Sequence, residues 1–456
     1  MLFNSLEFTL VFLPAALLAY WLARRSESAR LWLLVIASCL FYSYWDWRST
    51  PLLVASTLLN WWAAEAFHAS GRRGIPIAAI VANLVCLAAF KYLTFFAETA
   101  SGLTGLALEV PKLALPLGIS FFTFHHIIYL ADLLAGRAPR YTLRDYALYI
   151  ALFPQILAGP LVRHSEIVHQ FRTNPWAAGW ELRWLEGLGL FAMGLVKKLY
   201  IADPLAVQSD AVFAKAGVGA VGLLEAWSGI LSFTFQIYFD FSGYSDMAIG
   251  LALLFGFRLP VNFDAPYRAI SVSEFWRRWH MTLSRFLRDY LYIPLGGSRQ
   301  GLSIQLGALF ATMALGGLWH GAGWTFIVWG VLHGLALGVR VLWRHGAAPA
   351  IPVPAGWALT FLFVCVTWVF FRAPDMGSAM RMLTGMSFGS GGMSGGAGWP
   401  MIALAAVVAM LGPTSQSIAQ RITTKPWMAA LIGIALAAGL LKINNGPSHE
   451  FIYFQF

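Results

Sequence analysis

The chain has 456 residues, of which 59% are hydrophobic and only 11% are charged. Soluble globular domains carry about 25% charged residues, so this composition argues against a set of soluble domains and predicts a chain that lies largely in lipid. The net charge of +10 does not indicate nucleic-acid binding, because the basic residues form short clusters between apolar runs, such as Arg24 with Arg25 and Arg72 with Arg73, as in the cytoplasmic loops of membrane proteins.

Apolar segments recur along the whole chain without a long polar region between them, which predicts a single membrane domain over 1–456. The first run, Phe8 to Ala23, is followed by basic residues, and this order predicts a retained span rather than a cleaved signal. Spans of ~20 residues predict roughly 10–12 transmembrane or re-entrant helices in all. The further predicted spans are about 31–47, 51–67, 76–97, 184–201, 219–238, 244–259, 303–339, 356–371, 399–412 and 427–443.

Two segments, 113–131 and 145–162, are short and interrupted by Pro and Gly, so either is a candidate re-entrant segment. Irregular backbone at membrane depth is tolerated only where protein or a watery cavity surrounds it, so a packed bundle around a cavity is expected. The glycine-rich stretch 385–398 predicts a flexible loop. The three cysteines lie far apart in apolar runs, which predicts neither a disulfide framework nor a zinc site.

His320 is the first candidate for chemistry. It lies in LGGLWHGAGW, within an interval between Arg299 and Arg340 that contains no Asp, Glu, Lys or Arg. Ionisable groups inside membrane segments are costly and therefore mark functional candidates. A simple hairpin would place His320 near the surface, whereas a guarded site requires it deeper, and a buried histidine bonded to a carbonyl is an equal alternative. His333 is a weaker candidate.

The segment 274–291, EFWRRWHMTLSRFLRDYL, predicts a basic amphipathic helix on the cytoplasmic membrane surface, where lipid headgroups would satisfy its arginines. His280 falls in the apolar sector, so it is expected to point inward as a candidate partner of His320 or as a structural group. The predicted apolar face comprises Phe275, Trp276, Trp279, Leu283, Phe286, Leu287, Tyr290 and Leu291. The predicted polar face comprises Glu274, Arg277, Arg278, Arg285, Arg288 and Asp289.

Asp240 and Asp246 lie among aromatic residues in QIYFDFSGYSD. They either line a polar channel or bond to neighbouring arginines, and structural use is favoured. The chain lacks the nucleophile elbow, P-loop, zinc-protease and dinucleotide motifs. A buried histidine without a nucleophilic Ser or Cys motif suits general-base work on a hydroxyl, since its ordinary pKa lies near neutrality.

Several long motifs follow one another in a fixed order, with the core motifs at about 113–340. Through them the chain resembles the membrane-bound O-acyltransferases, and among these the bacterial alginate O-acetyltransferase branch. The motifs are the opening MLFNSLEFTLVFLP, PLGISFFTF (116–124), FPQILAGPLVR (153–163), YFDFSGYSDMAIGLALLFGF (238–257), EFWRRWHMTLSRFLRDYLYIPLGGSR (274–299), GGLWHGA (316–322) and EFIYFQF (450–456).

The resemblance implies an all-α, multi-pass protein of the bacterial inner membrane, with helices around a central channel. It implies that His320 is the essential histidine, a base towards a hydroxyl that attacks a thioester, and that His280 orients the reactants. The expected donor is acetyl-CoA from the cytoplasm, with no bound cofactor. The acetyl group would cross the channel to an exported partner protein of a polysaccharide synthesis and export complex, for an alginate- or cellulose-type polymer.

Other activities stay open at this point. Within the family these are D-alanyl transfer to teichoic acid, which the basic helix would suit by binding an acidic carrier protein, and peptidoglycan O-acetylation. Outside it, the chain would be a non-enzymatic channel or scaffold of a polysaccharide export complex.

Overall fold

The computed structural model describes residues 1–111, 113–157, 159–346, 349–389, 398–445 and 450–452. Its regular elements in these ranges are all helical, which confirms the predicted fold class. The α-helices in chain order are α1 (Leu13–Leu22), α2 (Glu27–Ser43), α3 (Thr50–Ser70), α4 (Gly74–Lys91), α5 (Leu93–Thr104), α6 (Ile119–Leu134), α7 (Leu143–Ala151), α8 (Phe153–Ile156), α9 (His164–Ile167), α10 (Trp180–Val196), α11 (Asp203–Val218), α12 (Leu223–Leu254), α13 (Val272–Arg278), α14 (Met281–Leu287), α15 (Leu302–His320), α16 (Trp324–His345), α17 (Val353–Arg372), α18 (Met376–Phe388), α19 (Trp399–Met410), α20 (Ser415–Ala419) and α21 (Pro426–Asn445).

Five helices in the described ranges, α4, α15, α16, α17 and α21, are long and apolar enough to cross a membrane, and three shorter apolar helical segments accompany them. The chain is therefore a multi-pass membrane protein, although fewer helices meet both criteria than the ten to twelve predicted segments. One difference is α12, which joins the predicted spans 219–238 and 244–259 in a single helix of 32 residues. Gly243 lies inside this helix and does not break it. It serves close packing instead, since a Cβ there would lie 2.9 Å from the Gly194 carbonyl oxygen.

The chain divides into two compact units. The first comprises 1–193, 244–260 and 419–450, and the second comprises 194–243, 261–418 and residues 451 and 452. The first unit has a core of stacked and edge-on phenylalanines, with Phe41 5.7 Å from Phe8 and 5.5 Å from Phe153 between ring centroids.

The interrupted segments 113–131 and 145–162 belong to the first unit. The first is irregular only up to Gly118, since α6 is a regular helix from Ile119 onward, whereas the irregular backbone of the second is confirmed. The second segment consists of α7, the single turn α8 and non-helical residues up to α9, and most of its described residues are buried. Buried hydrogen bonds accompany this break: the His126 Nδ1 lies 2.7 Å from the Tyr146 hydroxyl, and the His164 Nε2 lies 3.1 Å from Asp132. Protein therefore surrounds the broken backbone, as its polar groups require.

In the second unit, two local predictions need correction. The segment 274–291 is not one helix, because α13 ends at Arg278 and α14 starts at Met281, with a π-helical turn from Arg288 to Tyr292. The predicted glycine-rich loop 385–398 begins as helix, since α18 continues to Phe388, and residues 390–397 of that prediction lie outside the described residues. Gly385 lies at a close contact of this helix, where a Cβ would be only 2.7 Å from the Val221 carbonyl oxygen.

Candidate active site

His320 is the last residue of α15, where a regular apolar helix gives way to a glycine-rich link. Gly321 and Gly323 are extended, and α16 begins at Trp324. A Cβ on Gly321 would lie 2.1 Å from the Phe326 ring, so the link admits only glycine there. His320 is nevertheless only 6% exposed. Its position at a helix end therefore does not bring it to the surface of the protein.

The helices α15 and α16 pack backbone to backbone through two glycines. A Cβ on Gly317 would lie 2.3 Å from the Phe326 carbonyl oxygen, and one on Gly330 would lie 2.3 Å from the Met313 carbonyl oxygen. Gly317 therefore allows the backbones of the two helices to approach closely beside His320. This contact fixes the register of the hairpin that carries His320, since neither helix can slide without a steric clash.

Aromatic rings surround His320. The centroid of its imidazole lies 4.8 Å from Trp319, 5.1 Å from Trp329 and 5.1 Å from Phe371. These rings exclude water from the imidazole and hold it by packing. A histidine placed in this way can exchange a proton with a reactant that enters the ring cluster.

His333 contacts the same Trp329 ring, at 4.8 Å between centroids. Both of its nitrogens are bonded: the Trp276 indole N–H donates to Nδ1 at 3.2 Å, and Nε2 lies 3.1 Å from the Thr367 hydroxyl. Since Nδ1 accepts, the neutral ring carries its proton on Nε2 and donates it to Thr367, whose hydroxyl in turn donates to the Val364 carbonyl. His333 is thus a fully bonded group that positions Trp276, rather than a free base.

His280 lies at the break between α13 and α14 and is 1% exposed, which confirms that it points inward. Its Nδ1 lies 3.1 Å from the Asn262 Oδ1, and its ring meets Phe241 edge-on at 4.7 Å. The same oxygen accepts bonds from the backbone N–H and the hydroxyl of Thr282, at 3.3 and 2.9 Å. An amide oxygen only accepts, so the neutral His280 carries its proton on Nδ1 and presents Nε2 as an acceptor.

The backbone at His280 is left-handed, with φ of +41°. This conformation costs a non-glycine residue on the order of 1–2 kcal/mol, and the bonds to Asn262 offset the cost. Burial lowers the pKa of His280 to about 3, so its imidazole is neutral at physiological pH. Aromatic rings connect its neighbourhood to that of His320: Trp279 lies 5.1 Å from Trp368, and Trp368 stacks on Trp329 at 5.9 Å.

A basic cavity of about 470 Å³ lies in the same unit, between the 273–292 segment and the helices α15 and α16. None of its lining residues is acidic. The arginines of the predicted surface helix therefore do more than face lipid headgroups, because three of them help to line this cavity. Its basic residues are Arg277, Arg285, Arg288, Arg340 and Arg344.

The α15 face that lines the cavity continues to His320. Gln305, Leu309, Thr312 and Met313 line the cavity, and at 100° per residue His320 lies within the same sector of the helix. The rise from Thr312 to His320 is ~12 Å, about two helical turns. A group bound in the cavity thus has one helix face to follow towards the buried imidazole.

Asp240 and Asp246 both lie in α12 and are 2% and 3% exposed. Asp240 bonds to Lys198, with 2.8 Å between Nζ and Oδ1, and its other oxygen accepts the backbone N–H of Ile452 at 2.7 Å. The predicted structural use of Asp240 is therefore confirmed, although its cation is a lysine from a distant segment rather than a neighbouring arginine.

Sequence reasoning missed three residues of this region: Asn262, which holds His280, and Trp329 and Thr367, which contact the two histidines of the α15–α16 hairpin. Asn262 stands beside Pro260 and Asp264 in a stretch typical of a turn, so nothing local marks it as a ligand of a histidine. Thr367 offered a weak signal, since it is a polar residue within an apolar run.

Comparison with known proteins identifies the family. The family model described as MBOAT, membrane-bound O-acyltransferase family, matches residues 130–376. A peptidoglycan O-acetyltransferase of Helicobacter pylori is 41% identical over 423 residues, 85% of this chain and 80% of the relative. A probable alginate O-acetylase AlgI of Pseudomonas aeruginosa is 42% identical over 401 residues, 86% of this chain and 76% of the relative.

A more distant relative, a teichoic acid D-alanyltransferase of Streptococcus thermophilus, is 27% identical over 243 residues, 50% of this chain and 57% of the relative. All three relatives are named as acyl-transferring enzymes, so an enzyme is indicated rather than a passive channel or scaffold. The chain therefore belongs to the membrane-bound O-acyltransferase family, as a multi-pass membrane enzyme related to the alginate O-acetylases.

Proposed function

We propose that this enzyme takes an acetyl group from a cytoplasmic thioester, acetyl-CoA, and moves it across the bacterial inner membrane for O-acetylation of an exocellular polysaccharide. In this proposal His320 is the general base, and His280 orients or polarises the reactants. The exported acceptor or transferase protein of the polysaccharide complex receives the group on the far side.

The observation that carries the proposal is the α15 helix face shared by the basic cavity and His320. Gln305, Leu309, Thr312 and Met313 line the cavity, and His320 lies on the same face about two turns beyond Thr312. A donor held in the cavity and a base at the end of this face form the two ends of one reaction path. Either feature alone would be compatible with many membrane proteins.

The cavity chemistry fits the donor. A coenzyme A thioester carries phosphate groups at one end and an uncharged thioester arm at the other. Arginine binds phosphate bidentately through its planar guanidinium, and five arginines line this cavity. Apolar lining residues, among them Leu309, Leu337 and Val341, suit the uncharged arm. The cavity volume lies within the usual range for ligand pockets.

The proposed reaction balances without any cofactor. An acceptor hydroxyl oxygen attacks the thioester carbonyl carbon while an imidazole nitrogen of His320 takes the hydroxyl proton. The new C–O bond forms, the C–S bond breaks, and the proton passes from His320 to the departing thiolate. A positioned general base of this kind contributes about 10²- to 10⁴-fold to the rate.

The polymer is proposed from the relatives. The named substrates of the more similar relatives are alginate and peptidoglycan, so an exocellular polysaccharide is the substrate class, and peptidoglycan O-acetylation is the alternative that the H. pylori relative favours. D-alanyl transfer to teichoic acid ranks lower, because the relative of that name is less similar and aligns with half of the chain.

The test uses purified enzyme in detergent with acetyl-CoA labelled in the acetyl group, an acceptor preparation, and detection of the released thiol. We expect His320→Ala to lose ~10²-fold or more of the acetyl transfer while it purifies and unfolds like the wild type. The exposed His68 provides the matched control, His68→Ala, which should retain full activity.

Full transfer by a stable His320→Ala enzyme would exclude His320 as the base. Absence of thiol release by the wild type with acetyl-CoA, together with release from a D-alanyl carrier thioester, would replace acetylation with D-alanylation.

A further inference from the structure

Trp276 stands between the basic cavity and His320. Its side chain lines the cavity, and its ring lies 5.7 Å from Trp329, edge-on. Trp329 in turn lies 5.1 Å from His320. The residue is 8% exposed, so its ring is packed in place at the inner end of the cavity. The indole rings of Trp276 and Trp329 therefore lie one after the other between the cavity and the imidazole.

Trp276 has a fixed orientation. Its indole N–H donates to the His333 Nδ1 at 3.2 Å, and the opposite nitrogen of His333 is bonded to the Thr367 hydroxyl at 3.1 Å. Thr367 is held by its own bond to the Val364 carbonyl at 2.9 Å. This series of hydrogen bonds fixes the tautomer of the imidazole and the direction of the indole N–H. A buried hydrogen-bonded network of this kind holds its members in a single arrangement.

We propose that Trp276, held by His333, is the specificity-determining wall that limits the length of the acyl group that reaches His320. This inference rests on the proposed function and names the residue that selects acetyl over longer acyl groups. A longer acyl chain would have to displace the indole from its packed, hydrogen-bonded position. His333 and Thr367 act through Trp276 and are positioning residues rather than catalytic ones.

The experiment measures thiol release and acyl transfer with acetyl-, propionyl- and butyryl-CoA by the purified full-length enzyme. We expect the wild type to prefer acetyl-CoA. Trp276→Leu should raise the butyryl-to-acetyl ratio of kcat/KM by about tenfold or more, since one methylene in a fitted pocket is worth about 10- to 200-fold.

The positioning role has its own variants. His333→Ala should shift the acyl ratio in the same direction as Trp276→Leu but by less. His333→Gln should restore the wild-type ratio, because its amide oxygen can accept the indole N–H while its amide nitrogen donates to Thr367. A merely structural histidine would change thermal stability without changing the acyl ratio.

Two failures are distinguishable. If the wild type releases no thiol from acetyl-CoA, the proposed function falls and this inference falls with it. If the wild type works and the acyl ratio of Trp276→Leu is unchanged, only the selectivity wall is refuted. Should Trp276→Leu fail to fold, Trp276→Phe and His333→Ala decide: a wild-type acyl ratio in both would overturn the proposal.

Discussion

Lys198 joins two buried carboxylates in the second unit. Its Nζ lies 2.8 Å from the Asp203 Oδ1 and 2.8 Å from the Asp240 Oδ1, and the three side chains are 5%, 11% and 2% exposed. Asp240 also accepts the backbone N–H of Ile452, which attaches the end of the described chain to α12. Lys198→Met would therefore leave two carboxylates facing each other without their cation.

The expected loss of folding stability follows from the burial of these three side chains. Removing one partner of a buried ion pair costs about 3–5 kcal/mol, and Lys198→Met should lie at the upper end because it removes the partner of two carboxylates. Asp240→Asn should cost less, about 1–3 kcal/mol, since the Lys198–Asp203 pair persists and the amide oxygen still accepts the Ile452 N–H.

The assay is thermal unfolding of the purified variants in one detergent, followed by tryptophan fluorescence. Lys215→Met is the matched control, because Lys215 pairs with Glu225 at 2.6 Å but is 50% exposed, and an exposed pair contributes at most about 1 kcal/mol. The expected order of midpoints is wild type, Lys215→Met, Asp240→Asn and then Lys198→Met.

A double variant tests whether the cost is electrostatic. Lys198→Met combined with Asp240→Asn should lose less stability than the two single changes added together, because the second change removes a carboxylate that the first left unpaired. Strict additivity, or a Lys198→Met midpoint equal to that of Lys215→Met, would refute the reasoning.

Three further outcomes are expected. Gly330→Ala should lower the unfolding midpoint, because its Cβ would lie 2.3 Å from the Met313 carbonyl oxygen and such overpacking costs about 1–3 kcal/mol. Gly307→Ala is the control, since a Cβ there has open space. Equal midpoints for the two variants would contradict the helix contact. Arg340→Gln should raise the KM for acetyl-CoA by about tenfold at a similar kcat, as expected for a lost charge-assisted bond to phosphate; an unchanged KM would argue against the donor cavity. Burial lowers the pKa of His280 from its ordinary value of 6.5 to about 3. Between these two pH values the unfolded chain binds a proton that the folded chain does not bind, so stability falls as the pH drops from 6.5 towards 3. His280→Asn should show a shallower fall of the unfolding midpoint over that range, and identical slopes would exclude this contribution.

Local pattern was enough to predict the faces of the 274–291 segment. Phe275, Trp276 and Leu283 are buried as predicted, and Arg277 and Arg288 are exposed. The pattern did not predict the break, because α13 and α14 each keep the helical period, so a periodicity of 3.6 residues remains visible across the gap. The cause of the break lies elsewhere in the chain, at Asn262, whose carbonyl and side chain bind Met281 and Thr282.

Partners that are distant in sequence account for the other differences. His333 carried no local sign that it bonds Trp276 on one side and Thr367 on the other, 57 and 34 residues away. Asp240 was expected to use a nearby arginine, yet its cation is Lys198 on another segment. Periodicity reports which side of a helix is buried, whereas the identity of the group across the interface depends on tertiary packing.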